Sequence, residues 1–213
     1  MKTDALIDLL ATGAGPAPRY AVARRFGTAV AFGATGGFAL LLFTLGINPA
    51  IRDFLALPAF WTKMTFAAVL TLAGFVASLR LARPGVAVGN VKWLAAAAMA
   101  ALWALALIVL ADADPGTRVQ LVLGNSWSVC PFRIALLSVP MFAASFWAMR
   151  GLAPTNQTLA GAALGVFSGA LGASIYGLHC PELAPPFLAV WYVLGILIPT
   201  VIGSALGKSL LRW

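Results

Sequence analysis

The chain has 213 residues, of which 62% are hydrophobic and only 9% are charged, and its formal net charge is +8 at pH 7. Soluble domains carry about 25% charged residues, so this composition indicates a membrane protein. The basic residues flank apolar runs and form no stripe along one surface. The positive charge therefore predicts no direct contact with nucleic acid.

The first 26 residues are predicted to form a cytoplasmic segment that contains one short amphipathic helix. Asp4 and Asp8 suit the first turns of this helix, and the glycine- and proline-rich stretch 13–18 ends it. The helix could either rest on lipid or bind a partner protein. Its two acids, and its lack of basic or aromatic residues, weaken the lipid interpretation. The candidate docking residues are Asp4, Leu6, Ile7, Asp8, Leu9 and Leu10.

Residues 27–213 are predicted to form one domain, an all-α bundle of six transmembrane helices. Each apolar run is close to the roughly 20 residues that a helix needs to cross a bilayer. Arg133 and Pro140 interrupt the fourth run, so its ends are the least sharply defined. The connections are too short to hold a large soluble module. The predicted spans are residues 27–46, 64–81, 93–111, 132–149, 159–178 and 187–206.

The distribution of lysine and arginine predicts the orientation of this bundle. With both termini in the cytoplasm, ten of the 14 basic residues lie inside, as the positive-inside rule requires. Both cysteines and His179 then face the extracytoplasmic side. We therefore expect a multi-pass membrane protein, and if the membrane is a bacterial inner membrane, the two thiols face an oxidising space. The four basic residues expected outside are Arg52, Lys63, Arg118 and Arg133.

A glycine pattern in the fifth span predicts close helix packing. Gly161, Gly165 and Gly169 recur every four residues, which places them on one face of the helix. Small residues on such a face let a neighbouring helix approach closely. This pattern is consistent with either a monomer or a homodimer.

The only two cysteines stand at the ends of neighbouring predicted spans, and each precedes a proline. Cys130 begins the fourth span and Cys180 follows the fifth, so both are expected at one level of the membrane. A constitutive disulfide and a pair of switchable thiols both fit this placement. Arg133 or a protonated His179 beside a thiol would lower its pKa.

The residue pattern does not predict a permanent metal site or an enzyme. A structural zinc site needs four ligands, and only Cys130, Cys180, His179 and Glu182 are candidates here. Transient binding of a soft metal ion by the two thiols is still expected. No phosphate-binding glycine loop, CxxC pair or Ser-His-Asp arrangement is present, so no cofactor is expected. The spans also lack a central ionisable residue, which argues against an ion-coupled transporter.

Two alternatives to a regulatory protein stay open on the residues alone. One is a membrane thiol oxidoreductase, although such enzymes usually need a second cysteine pair. The other is a passive channel or uncoupled transporter in which a disulfide is structural.

Several segments of the chain resemble NrsF-like proteins, which are integral membrane anti-sigma factors. The resemblance implies that the protein holds an ECF sigma factor of the sigma-F type at the cytoplasmic face. It also implies that Cys130 and Cys180 sense oxidative or heavy-metal stress. On the chemistry and placement of their own side chains, His179, Glu182 and Arg133 are the candidate tuning residues. The segments are the opening ten residues, Phe60-Trp-Thr-Lys63, Cys130-Pro-Phe-Arg133, Leu137-Ser-Val-Pro140, His179-Cys-Pro-Glu182, Val190-Trp-Tyr192 and Leu210-Leu-Arg-Trp213.

Overall fold

A computed structural model describes residues 3–5, 7, 12, 20–152 and 154–212. Within these ranges the protein is helical and has no strand, and six helices are long and apolar enough to cross a bilayer. The prediction of six such helices is confirmed. They are α1 (Ala21–Thr44), α2 (Pro58–Leu81), α3 (Val91–Asp112), α4 (Cys130–Arg150), α5 (Gln157–Tyr176) and α6 (Pro185–Leu210).

The helices begin earlier than the apolar runs predict. Helix α2 begins at Pro58 instead of residue 64. Proline is well suited to this first position, because the N–H that it lacks would have no partner within the helix there. Lys63, which lies just before the predicted span 64–81, is therefore inside this helix. Helix α4 also continues through Pro140 to Arg150. Short helices at Ile51–Leu55 and Arg118–Leu123, which the sequence did not predict, occupy two connections.

Helix α5 is the central element of the bundle. It packs against α6, α2 and α4, and 67% of its most apolar stretch is buried, compared with 11% for α3. The residues that α5 buries are mostly glycine, alanine and serine, whose small side chains let three neighbours approach. Helix α3 lies at the periphery, in contact with α2 and the start of α6.

The glycine face of α5 lies directly against the backbone of α6. A Cβ atom on Gly161 would overlap the carbonyl oxygen of Gly203, and one on Gly165 would overlap that of Pro199. A Cβ atom on Gly169 would lie 3.0 Å from the carbonyl oxygen of Ile196. A larger side chain at any of the three would force the two helices apart.

At each of the two ends of the bundle, a different set of hydrogen bonds holds neighbouring elements together. At one end, which we call the thiol end because it carries both cysteines, Nδ2 of Asn48 donates to the carbonyl oxygen of His179 at 3.2 Å. At the other, which we call the terminal end, Nε of Arg150 donates to the carbonyl oxygen of Leu210 at 3.1 Å. Helix α1 begins and helix α6 ends at the terminal end, so both lie opposite the cysteines.

Candidate functional site: a buried thiol pair

Cys130 and Cys180 meet in the interior of the thiol end. Cys130 is the first residue of α4, and Cys180 lies in the connection between α5 and α6. Both side chains are 0% exposed, both are free thiols, and they are close enough for one to donate a hydrogen bond to the other. The structure therefore brings together the two predicted sensing residues as an unbridged pair.

The backbone after α5 holds Cys180 in place. The N–H groups of His179 and Cys180 both donate to the carbonyl oxygen of Tyr176 at 2.9 Å, which closes a tight turn at the helix end. Pro181 has no N–H with which to continue this pattern. The next free N–H, on Glu182, donates to the Cys180 sulfur.

Lys63 is a member of this site that the sequence reasoning did not single out. Its side chain is 0% exposed, and Nζ donates hydrogen bonds to the carbonyl oxygens of Cys180 at 2.9 Å and Glu182 at 3.3 Å. Its ammonium group also lies 5.4 Å from the centre of the Phe60 ring. In the sequence Lys63 stood out as an outer basic residue and as the last residue of Phe60-Trp-Thr-Lys63, with no link to the thiols. Its position six residues into an otherwise apolar helix was the signal available.

The surroundings of Cys180 favour its thiolate. Its pKa is lowered from the ordinary 9.0 to about 6, chiefly by the hydrogen bond from the Cys130 thiol, and burial opposes this effect. The Lys63 ammonium, the Glu182 N–H and the Tyr192 hydroxyl also lower this pKa. Buried Tyr192 has no oxygen or nitrogen partner among the described residues, so the Cys180 sulfur is the acceptor within its reach. Cys180 is thus the more nucleophilic thiol.

Two of the predicted tuning residues contact each other. The guanidinium of Arg133 lies 3.4 Å from Nε2 of His179, and Nδ1 of that ring lies 3.1 Å from the carbonyl oxygen of Gly46. The ring of His179 also packs against Tyr176, with 5.8 Å between the ring centres. His179 therefore bridges the end of α1 to α4.

The third predicted tuning residue, Glu182, supports the loop before α4. Its Oε1 atom accepts a hydrogen bond of 2.7 Å from the N–H of Asn125. Gly124 has a φ of 56°, and a Cβ atom there would lie 2.8 Å from the Glu182 carboxylate. Glycine is therefore required at this turn both by its backbone conformation and by the nearby carboxylate.

A metal centre is not assembled at this site. No group of three or more histidine, cysteine, aspartate or glutamate side chains with ligand geometry occurs in the described part of the chain. Two thiols alone offer a soft ion two ligands. Transient capture of such an ion by Cys130 and Cys180 stays a prediction.

The predicted docking helix is only partly described. Residues 3–5, 7 and 12 are helical, and both Asp4 and Ile7 are exposed to solvent. Leu6, Asp8, Leu9 and Leu10 lie outside the described residues. The assignment of this segment as a docking surface stays a prediction.

The fold and the site together define a multi-helix membrane protein with a thiol pair and a buried lysine inside one end of the bundle. The family described as negative regulator of sigma F, NrsF, matches residues 10–213. The chain belongs to this family, which confirms the resemblance seen in the sequence.

Two relatives match the chain along its entire length. The probable anti-sigma-F factor NrsF of Azospira oryzae is 44% identical over 216 residues, and this comparison covers all of both chains. The anti-sigma-F factor NrsF of Caulobacter vibrioides is 42% identical over 215 residues and is likewise covered completely. No solved structure matches the chain. These relatives are regulatory proteins and not enzymes, in agreement with the absence of enzyme motifs.

Proposed function

We propose that this protein is a membrane-embedded anti-sigma factor that holds an ECF sigma factor of the sigma-F type at the cytoplasmic face of a bacterial inner membrane. Modification of Cys130 and Cys180 by an oxidant or a soft metal ion releases the sigma factor. Membership of the NrsF family supports the regulatory role. The observation that carries the sensing role is the free thiol pair, buried where α4 begins and the α5–α6 connection passes.

The chemistry of the pair fits a sensor of small reagents. A thiolate is the nucleophile toward peroxides and the ligand for soft metals, and Cys180 is the thiol whose pKa is lowered. The hydrogen-bonded Cys130 stands beside it as the second sulfur. Because both are buried, only small reagents reach them without opening the bundle.

The same helices that hold the thiols also meet at the opposite end of the molecule. Arg150 at the end of α4 donates to the carbonyl oxygen of Leu210, and Gln157 at the start of α5 donates to that of Leu211 at 3.3 Å. A helix of 20 residues is about 30 Å long. A change in packing at the thiols therefore reaches the terminal end through three helices that touch along their length.

The energy available limits the response to a partial switch. Changing a two-state population from 1:99 to 99:1 needs about 5.5 kcal/mol of differential interaction. A disulfide contributes about 2–4 kcal/mol, which shifts a balanced equilibrium roughly 30- to 900-fold. We therefore expect graded induction with the dose of oxidant.

The sigma-binding element is proposed to be the segment that includes Asp4 and Ile7. This segment precedes α1, whose first residue lies at the terminal end, opposite the thiols. The exposed side chains of Asp4 and Ile7 supply one charge and one apolar contact for a partner helix. The bundle is either a monomer or a homodimer, and a measurement of its molecular mass in detergent distinguishes the two states.

Capture of the sigma factor by purified protein tests this proposal. Wild type is compared with Cys130→Ser/Cys180→Ser and with a deletion of residues 2–12, before and after treatment with hydrogen peroxide or Cd²⁺. We expect the reagents to reduce capture by wild type only, and the deletion to abolish capture. Asp53→Asn, which removes a negative charge at the thiol end and leaves both cysteines in place, serves as the matched control. Sigma binding and release that survive all changes would overturn the proposal.

A further inference from the structure

Lys63 buries its amino group beside the thiol pair, where its hydrogen-bond partners among the described residues are two neutral carbonyl oxygens. Its ammonium group is 0% exposed and binds two backbone carbonyl oxygens. No carboxylate in the described part of the chain forms an ion pair with it. A buried unpaired charge is strongly unfavourable, so an anion is expected close by.

The groups around Lys63 leave the thiol pair as the source of that anion. The acidic groups that act on it are, in order of decreasing effect, Cys180, Cys130 and the carboxylate of Glu182. The Glu182 carboxylate is bound to the N–H of Asn125 at 2.7 Å. Tyr192 and Phe60 add no carboxylate or second cation. A single proton held by Cys130 leaves the Cys180 sulfur as the negative partner.

We propose that Lys63 is the counter-ion of the Cys180 thiolate, and that loss of the thiolate charge is what separates α2 from the connection between α5 and α6. This inference rests on the proposed function, since it names the residue that turns a change at the thiols into movement. Lys63 is thereby a positioning residue. It selects Cys180 as the reacting thiol and ties that sulfur to α2.

The reaction with hydrogen peroxide shows how the charge is lost. The Cys180 thiolate attacks one peroxide oxygen, the O–O bond breaks, and hydroxide leaves with the negative charge. The Cys130 thiol then attacks the sulfenic sulfur, the S–O bond breaks, and water leaves as the disulfide forms. Two electrons pass from the sulfurs to the peroxide. The product is neutral, so the Lys63 ammonium is left buried without a counter-charge.

An unpaired buried ammonium must move toward water, lose its proton or regain an anion. Lys63 lies near the beginning of α2, and its two acceptors belong to residues 180 and 182. Movement of the ammonium group toward water therefore breaks both hydrogen bonds. This detaches α2 from the connection that joins the two most closely packed helices, α5 and α6.

The test compares Lys63→Gln with Lys63→Arg in a Cys130→Ser background, where Cys180 is the only cysteine. Glutamine keeps an N–H donor for the carbonyl oxygens but has no charge, whereas arginine keeps the charge. The readout is the rate of Cys180 alkylation by iodoacetamide, a small reagent whose iodide leaves as the S–C bond forms, as a function of pH. Lys92→Gln, an exposed change on α3, is the matched control.

We expect Lys63→Gln to raise the pH of half-maximal alkylation by about 1 to 3 units, the effect of removing an opposite charge beside an ionised group. At pH 5, which lies below both midpoints, the alkylation rate should fall about tenfold for each such unit. Lys63→Arg should restore most of the rate, and Lys92→Gln should leave it unchanged. An unaltered profile in folded Lys63→Gln overturns the inference.

Ultraviolet absorbance of the thiolate in the full-length wild type, with Cys180→Ser as the blank, keeps the inference testable if Lys63→Gln does not fold. If the Cys180 thiol of wild type titrates at the ordinary pKa of a cysteine, the pairing of Lys63 with Cys180 is overturned. The two proposals fail separately. Suppose that the alkylation profile is shifted in Lys63→Gln, and that peroxide does not change capture of the sigma factor by wild type. This result supports the counter-ion and refutes the sensor. Release of the sigma factor by peroxide in wild type, together with an unshifted alkylation profile in Lys63→Gln, supports the sensor and refutes the counter-ion.

Discussion

The guanidinium of Arg133 lies 3.4 Å from Nε2 of His179, while Nδ1 of the same ring lies 3.1 Å from the carbonyl oxygen of Gly46. A carbonyl oxygen can only accept a hydrogen bond and a guanidinium can only donate one. Nδ1 therefore carries the proton and Nε2 accepts. His179 thus bridges the end of α1 and α4, in addition to being the neighbour of Cys180.

Replacing His179 should affect stability more than sensing. His179→Ala removes both hydrogen bonds of the bridge, so we expect the free energy of unfolding to fall by about 2 kcal/mol. His179→Asn keeps a donor near the position of Nδ1, so it should lose about half as much. Thermal unfolding in detergent measures both. A variant that melts like wild type but no longer releases the sigma factor on oxidation would make His179 a sensing residue.

The reactivity of Cys180 should depend on the partner that donates a hydrogen bond to it. Its pKa is lowered to about 6, so alkylation in Cys130→Ser, where a hydroxyl still donates, should be half-maximal close to that pH. Cys130→Ala removes the donor and should move the midpoint to higher pH. Rates of alkylation between pH 5 and 9 measure the two midpoints. Coincident profiles would show that Cys130 does not influence Cys180.

The lowered pKa of Cys180 also predicts how stability changes with pH. Folding lowers this pKa from 9.0 to about 6, so the thiolate contributes fully to the free energy of unfolding above pH 9 and loses its contribution as the pH falls toward 6. The difference in melting temperature between wild type and Cys180→Ser should therefore grow from pH 6 to pH 9. A difference that shrinks over this range would contradict the lowered pKa.

The sequence was sufficient to predict the number of helices that are long enough to cross a bilayer. Apolar runs of bilayer length are specified locally, and the alternating direction of successive helices places residues 130 and 180 at one end. Lys63 was missed because its charge excluded it from the second apolar run, although the helix extends back to Pro58. Its partners are carbonyl oxygens 117 and 119 residues away, which no local pattern reveals.

The predicted roles of the tuning residues depended on tertiary contacts in the same way. Adjacency in sequence suggested that His179 acts on Cys180, but its ring nitrogens bind the end of α1 and Arg133. Glu182 was considered a metal ligand, yet its carboxylate binds the N–H of Asn125. Both residues lie at the thiol end, and each has a partner in a loop that is distant in sequence.

The glycine face of α5 should tolerate no added methyl group. A Cβ atom on Gly161 overlaps the carbonyl oxygen of Gly203, so we expect Gly161→Ala to destabilise the protein by about 1–3 kcal/mol. Gly27→Ala in α1 is the matched control, because nothing lies within 4 Å of its Cβ position. It should be neutral or stabilising by up to about 1 kcal/mol. Equal melting temperatures for the two variants would show that α5 and α6 can separate without cost.

The proposed orientation places the thiol end outside the cytoplasm, and single cysteines at opposite ends of the bundle test it. Ser128 is exposed beside α4 at the thiol end, and Ser209 is exposed near the end of α6. In a Cys130→Ser/Cys180→Ser background, a membrane-impermeant maleimide added to intact cells should label Ser128→Cys at least tenfold faster than Ser209→Cys. The reason is that ten of the 14 basic residues would otherwise face outward, against the positive-inside rule. Permeabilised cells should label both equally, which controls for reactivity. The reverse preference in intact cells would place the thiols in the cytoplasm, where reducing conditions would keep them from forming a disulfide.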